Sequence, residues 1–348
     1  ALVVVYPAKP TLWNPYGAYF ENPVIYDRVK LQGVGPGGIY TDTTYVPGSI
    51  LDGRAMTGDT EYSERWRTFV QGLEWDGNQQ VSEGQVIYVL AERGEFNAAF
   101  RVAVDGFTIE HGDQQGVPTI PGGGGPPLGP VEAQGGAFYV NGYARYFQIS
   151  NNVIRSNGGT YGAIRIGTPD WGDNENDGIR IVNNQILANG GVNLAGALGI
   201  FRGADGYEVA YNHFCGNFSA EYGGAISHYG YSPGGRIHNN RINFNRSYDE
   251  GGGIMIAGEM PVDPGTLSPG AGPVDIYDNI IQANLSNDDG GGIRFLMAGN
   301  YLFRVYNNII ANNISTHEGG GISLNDAPNV RIYNNTIMRN LTLLTALT

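Results

Sequence analysis

The sequence predicts an all-β chain wound as a solenoid of parallel strands, three strands to each rung. Three observations carry that expectation: a repeat of about 28 residues, apolar side chains held at fixed places within it, and an excess of glycine. From residue 150 onward the segments SNNVIRSN, VNNQILAN, AYNHFCGN, HNNRINFN, YDNIIQAN, YNNIIANN and YNNTIMRN share one pattern. Taking the second residue of each NN, YN or DN pair as position zero gives Asn152, Asn184, Asn212, Asn240, Asn279, Asn308 and Asn335, at intervals of 32, 28, 28, 39, 29 and 27 residues. Self-similarity at such a period is the mark of repeat architectures.

Within that frame the side chains sort by position. Position −3 holds Ile149, Ile181, Val209, Ile237, Ile276, Val305 and Ile332, and position +2 holds Ile154, Ile186, Phe214, Ile242, Ile281, Ile310 and Ile337. Position +14 holds Leu198, Ile226, Ile254, Ile293 and Ile322, each preceded by small residues. Three short segments of period two, separated by Asn and Gly corners, read as three strands per turn. The 55 glycines, with no Gly at every third residue, serve turns and close backbone approaches.

Position +5 is Asn157, Asn189, Asn217, Asn245, Asn284, Asn313 and Asn340. An amide that both donates and accepts can bond its counterpart one rung away, and Asn tolerates a left-handed corner, so two Asn ladders are expected, at zero and at +5. VDGFTIEHG, beginning at Val104, fits the same frame and puts Phe107 on the first ladder and Gly112 on the second. The chain then reads as one domain over 1–348: first rungs in 1–53, an inserted loop or short helix in 54–83, and regular rungs over 84–348, clearest from 147. The total is ten or eleven rungs. The final LTLLTALT stops without a polar cap, as expected of one part of a longer polypeptide.

A formal charge of −13 and a pI near 4.7 exclude a general basic surface for nucleic acid; neutral glycans or metal cations suit the chain better. No run approaches the roughly 20 apolar residues of a membrane span. The single cysteine, Cys215, allows neither an intrachain disulfide nor a CxxC metal cluster. Five sequons at Asn217, Asn245, Asn284, Asn313 and Asn340 all fall on the +5 ladder, a poor place for a glycan if the ladder is buried.

The most charged recurring feature is a stripe at +9 and +10: Glu221 and Tyr222, Asp249 and Glu250, Asp288 and Asp289, then His317 and Glu318, each pair directly before a Gly corner. Equivalent positions stack at roughly 4.8 Å. Like charges so close resist joint ionisation or recruit a cation, and calcium favours carboxylate and carbonyl oxygens. Asp249, Glu250, Asp288 and Asp289 are therefore the candidate metal ligands. Asp and Asn before Gly are also ordinary turn residues, and alternate members of each pair can point in different directions. After the corner, positions +13 and +15 should face outward and form a low floor. Beyond it two insertions, TPDWGDNEND from Thr168 and EMPVDPGTLSPGAG from Glu259, fall in one inter-strand connection. Trp171, Tyr222 and Tyr229, with Glu221, His317 and Glu318 of the stripe, are the candidate binding residues for a glycan or a protein partner. A further Gly- and Pro-rich insertion, IPGGGGPPLGP from Ile120, reads as a flexible lip or a partner contact.

The Asn-ladder, Gly-corner unit resembles the right-handed parallel β-helix repeats of the pectin-lyase-like superfamily over about residues 100–340, and the GGAI and GGGI corners look like those of β-helical bacterial surface proteins. The resemblance implies a right-handed single-stranded parallel β-helix in an extracellular or cell-surface protein. It is open as to activity, because that superfamily holds lyases, hydrolases, epimerases, tailspikes and adhesins. The first expectation is a rigid scaffold with a groove for a glycan or a protein partner. The second is a calcium-dependent polysaccharide lyase, in which the resemblance implies Asp288, Asp289 and Glu250 as ligands and Arg294 as the base, or a hydrolase using two of Glu250, Asp288, Asp289 and Glu318. The NTD, GHG and RxK motifs of polygalacturonases are missing, and His111 in IEHGD does not supply them. The third is a structural fibre or surface-layer component, since uncapped solenoids stack end to end.

Overall fold

The computed structural model describes residues 1–39, 44–57, 59–114, 131–261, 263 and 265–343, with the backbone alone for 131–133. The IPGGGGPPLGP insertion and the end of LTLLTALT lie outside the described residues. Three long parallel sheets run from the first rungs to the last, and another joins them from Gly158 onward. The first has ten strands, from Leu2–Val5 to Val330–Tyr333, and the second nine, from Ile50–Asp52 to Thr336–Met338. The third has seven two-residue strands, from Gly158–Gly159 to Leu341–Thr342, and the fourth nine, from Val24–Ile25 to Ile322–Leu324.

Register follows the repeat residue for residue. Ile276 pairs with Ile237 and Val305, Ile281 with Ile242 and Ile310, and Ile293 with Ile254 and Ile322. These columns form one buried core along the coil, each side chain contributing about 1.5–3 kcal/mol of burial. The third sheet is the difference from the sequence reading. Strands of two residues, such as Leu285–Ser286, show no alternation from which they could be read. They still align a column of buried serines, Ser219, Ser247, Ser286 and Ser315.

Both Asn ladders form. Asn245 Nδ2 donates to Asn284 Oδ1 at 3.0 Å and to the Phe214 carbonyl at 3.1 Å, while the backbone N–H of Asn245 donates to the same Asn284 Oδ1 at 3.0 Å. The first ladder repeats the motif from Asn152 to Asn335, and the N–H groups of Phe107 and Gly112 donate to Asn152 and Asn157, as the alignment of VDGFTIEHG requires. Because every amide is spent internally, the sequons Asn217, Asn245, Asn284 and Asn313 are buried. The left-handed corner, however, is carried one residue earlier than the ladder, by Asn183, Tyr211 and Asn239 before one ladder and by Ala188, Phe244 and Ala283 before the other. The ladder fixes the corner so firmly that even β-prone or branched-ring residues adopt it, at about 1 kcal/mol each. Glycine is compulsory elsewhere: a Cβ on Gly253 or Gly292 would sit 2.5 Å from the carbonyl oxygen one rung on.

The inserted 54–83 segment contains a helix, α1 (Thr60–Gln71), capped by Asp59, whose carboxylate accepts from the Tyr62 N–H at 2.9 Å. Its Trp66 stacks on Tyr88 at 6.1 Å, and Tyr88 on Tyr139 at 5.1 Å, so α1 roofs the outer face of the fourth sheet at the first rungs. On the outer face of the first sheet His238, Tyr277, Tyr306 and Tyr333 stack at 4.7, 5.0 and 5.2 Å. Among the described residues no helix is long and apolar enough to cross a membrane.

Candidate functional site

The acidic stripe does form, and its two columns part. Backbone bonds stack the corners, with Asp288 N–H donating to the Asp249 carbonyl at 3.0 Å and His317 N–H to the Asp288 carbonyl at 3.1 Å. Ser286 Oγ pins this corner by donating to the Asp249 and Asp289 carbonyls at 2.6 and 2.8 Å. Asp249 and Asp288 remain half-buried at the surface, whereas Glu250 and Asp289 turn toward the sheet and close on Arg294. The Arg294 guanidinium meets Glu250 at 3.0 and 3.3 Å, Asp289 Oδ2 at 2.9 Å and Ser323 Oγ at 2.5 Å.

That geometry corrects two expectations. Arg294 is 2 % exposed and fully bonded, so it is no outward-facing base for a polysaccharide. The four carboxylates do not converge as one ligand set: it is Asp288 and Asp289, together with His317, that bring ligand atoms within 4.8 Å of one another. Glu250 and Asp289 spend oxygens on Arg294, Asp289 Oδ1 lies 3.0 Å and Asp288 Oδ1 3.3 Å from His317 Nδ1, and a guanidinium occupies the place a cation would take. Asp289 thereby raises the pKa of His317, chiefly through that hydrogen bond. Burial raises Asp249, with Asp288 and Asp289 adding to it, and burial raises Glu250 against the pull of Arg294. Glu250, Asp289 and Arg294 thus form an ion-paired brace, with Asp288 beside it against His317.

The expected floor is filled as well. Ala225, Ser227, Met255, Arg294 and Ser323 are all buried. Met255, Ala257, Phe201 and Tyr229 form a second apolar cluster outside the sheet, covered by Leu194, Tyr161, Tyr222 and Leu296. Position +13 belongs to the main core, where Ala225 packs, whereas Met255 at +15 lies in the outer cluster with long side chains packed against it. Tyr222 and Tyr229 are part of that cover, 6.4 Å apart, and Glu221 accepts from the Leu194 N–H at 3.1 Å. Of the candidate binding residues, Trp171 (38 % exposed), His317 and Glu318 stay open to solvent. Both insertions leave the fourth sheet for the first, after Ile166 and after Ala257, as expected.

A second grouping of charged side chains lies at the other end of the coil, where the sequence marks no recurrence. A polar cavity of about 430 Å³ opens on the outer face of the second sheet, lined by Tyr16, Ile39, Arg54, Glu110, His111, Arg155 and Ser156. Asp52, Glu110 and Arg155 are register partners on three successive strands, at position +3. Asp52, fully buried, holds Arg54 through both oxygens, Nε at 3.0 and 2.9 Å and Nη2 at 2.6 Å, and lies 3.1 Å from His111 Nδ1. Glu110 binds Arg155 Nε at 2.8 Å. Burial pushes the Asp52 carboxyl up, but its bonds to His111 and Arg54 outweigh that and hold it below the usual range. The same bond to Asp52 raises the pKa of His111. Ionisable atoms of Asp52, Glu110 and His111 come within 4.8 Å of one another, but Arg54 and Arg155 already balance the two carboxylates, which removes the charge that would draw a divalent cation.

The signal was present in the +3 column. It is Asp, Glu and Arg at the first three rungs and Leu187, Cys215, Asn243 and Gln282 afterwards. Comparison of the chain with family models, with curated proteins and with solved structures returned no match.

Proposed function

We propose that the protein is an extracellular or cell-surface scaffold, a right-handed parallel β-helix with three long strands per rung and the two-residue third strand as a corner, and that it binds a glycan in the Arg54–Glu110–Arg155 cavity. The handedness and the extracellular setting follow the resemblance of the repeat. The observation that carries the binding site is the composition of this cavity. Two guanidiniums, a carboxylate, an imidazole and a hydroxyl stand around one concavity beside Tyr16, held in place by ion pairs rather than by the ligand. Pre-oriented planar polar groups next to an aromatic ring suit sugar hydroxyls and sugar faces, with little ordering cost on binding.

A lyase with Arg294 as its base loses support, because Arg294 is sealed against Glu250, Asp289 and Ser323. Protein partners remain a use for the exposed insertions, including Trp171. The test is an oligosaccharide panel, neutral and uronate-bearing, followed by amide chemical shifts and calorimetry. Arg155→Ala and Tyr16→Ala should each weaken binding about tenfold, the equivalent of roughly 1.4 kcal/mol, while Asp288→Asn leaves it unchanged. Binding that ignores both pocket variants and disappears with Trp171→Ala would move the site to the insertions.

A further inference from the structure

Two features of the cavity exceed what binding requires. His111 has Nδ1 committed to Asp52 Oδ2 at 3.1 Å, and its Nε2 has no hydrogen-bond partner among the described residues, although the side chain is 37 % exposed on the cavity wall. Arg54, half-exposed on the same wall, binds Asp52 through Nε and Nη2 and leaves Nη1 uncommitted among the described residues. A carboxylate that fixes the tautomer of an imidazole and leaves the other nitrogen facing a cavity is the arrangement of an oriented general base.

We propose that His111 is a general base for hydrolysis of an ester carried by the glycan bound in this cavity, with Arg54 as the donor to the developing oxyanion and Asp52 as the positioning residue. The proposal rests on the glycan-binding reading above. In the step, His111 Nε2 takes a proton from water as the water oxygen bonds to the acyl carbon, and the carbonyl electron pair moves to the oxygen, which accepts a hydrogen bond from Arg54 Nη1–H. Collapse of that intermediate breaks the bond to the sugar oxygen, which recovers the proton from Nε2. One water is consumed, an acid and a free sugar hydroxyl are released, and no other co-reactant enters.

The choice of an ester over a glycosidic bond follows from the carboxylates. Acetal cleavage needs a carboxylic acid to protonate the leaving oxygen, but Asp52 is fully buried and held below the usual carboxylate range by His111 and Arg54, and Glu110 is engaged by Arg155 Nε at 2.8 Å. An acyl carbon instead needs a base and a charge-stabilising donor, and those are the two groups left free. The charged and titratable groups facing His111 are Asp52, Glu110 and Arg54, with Arg155 and Tyr16 on the same cavity wall. Asp52 dominates, so the imidazole stays a base whose loss of activity on acidification begins above the ordinary histidine value of 6.5.

The experiment measures acetate release from acetylated xylo-oligosaccharides and p-nitrophenol release from p-nitrophenyl acetate across pH 5–9, with oligosaccharide binding followed separately by amide shifts. The expected result is acetate release by the wild-type protein that falls on acidification. His111→Gln should lower acetate release at least about 100-fold, a loss in kcat that persists at saturating oligosaccharide. Asp52→Asn should lower the pH midpoint as well as the rate, a displacement that a merely structural carboxylate would not cause. Hydrolysis by His111→Gln at the wild-type rate, or no acetate release from oligosaccharides that bind, overturns the proposal. If no oligosaccharide binds but p-nitrophenyl acetate is cleaved in a His111-dependent way, the base stands and the glycan assignment fails; if neither occurs, both fail. Folding of each variant is checked by its far-ultraviolet circular dichroism and melting curve, and His111→Asn replaces any variant that misfolds.

Discussion

The cavity at the first rungs and the brace at the later ones use the same parts to opposite ends. In each, a guanidinium pairs with a buried carboxylate that also meets a histidine: Arg54 with Asp52 and His111, Arg294 with Asp289 and His317, and with Glu250 besides. Around Arg294 every guanidinium nitrogen has a partner and the side chain is 3 % exposed, whereas Arg54 is 53 % exposed and its Nη1 has no partner among the described residues. A charged column on a solenoid is therefore no sign of chemistry in itself. What separates brace from site is whether any donor or acceptor is left over, and whether a cavity lies in front of it.

The sharpest way to break that comparison is to remove each arginine. Arg294→Met strands Glu250 and Asp289 as buried charges without a cation, and should cost about 3–5 kcal/mol. Arg54→Met leaves Asp52 its bonds to His111 and to the Arg54 backbone N–H, and should cost about 1–2 kcal/mol. Urea unfolding at neutral pH measures both. Equal losses would abolish the distinction between a sealed brace and an open site.

Histidines extend the comparison. His228 is buried, its Nδ1 2.9 Å from the Tyr207 hydroxyl and its Nε2 2.8 and 3.0 Å from the Gly230 and Ala271 carbonyls. The neutral tautomer with Nε2–H donating is thus fixed, and burial pushes the pKa down from 6.5 to about 4. Between those two values the unfolded chain binds a proton that the folded chain refuses, so stability falls as pH falls. The loss between pH 7 and pH 4 attributable to this residue is about 3 kcal/mol. His228→Asn should flatten that part of the pH dependence by a similar amount in unfolding curves, while His111→Gln, at the open site, should not. A wild-type slope unchanged in His228→Asn would mean that acid acts elsewhere.

Sequence periodicity made the core legible because a buried column admits so few residue types. Ile at −3, +2 and +14 and Asn at zero and +5 each answer one demand of the stack, and that demand recurs every rung. The candidate site was less legible for the converse reason. Asp52, Glu110 and Arg155 come from rungs separated by α1 and by long connections, and no recurrence marks them. They become neighbours only through register. The stripe drew attention because it recurs, yet recurrence showed that it belonged to the corner: Ser247 and Ser286 pin it from below and Tyr222 covers the surface beside it. Exposure at +15 was misjudged because alternation tells which side of a strand a residue takes, and says nothing of what folds over that side.

The smallest effect concerns the outer column of the stripe, where brace and solvent meet. Asp249 is half-buried, and its pKa is raised first by burial and then by Asp288 and Asp289, with Arg294 pulling the other way. A carboxylate raised in the fold is a charge the folded state holds less willingly than the unfolded chain, so its contribution turns unfavourable as pH rises through its ordinary value of 3.8. Solvent screens much of this at a half-exposed position, which leaves about 0.5 kcal/mol. Asp249→Asn should therefore stabilise the protein slightly at neutral pH and make no difference at pH 3. Millimolar calcium separates this account from a metal site more cleanly than the mutation does: repulsion among uncoordinated carboxylates leaves the melting temperature unmoved by calcium, whereas a bound ion would raise it in the wild type and lose that rise in Asp249→Asn.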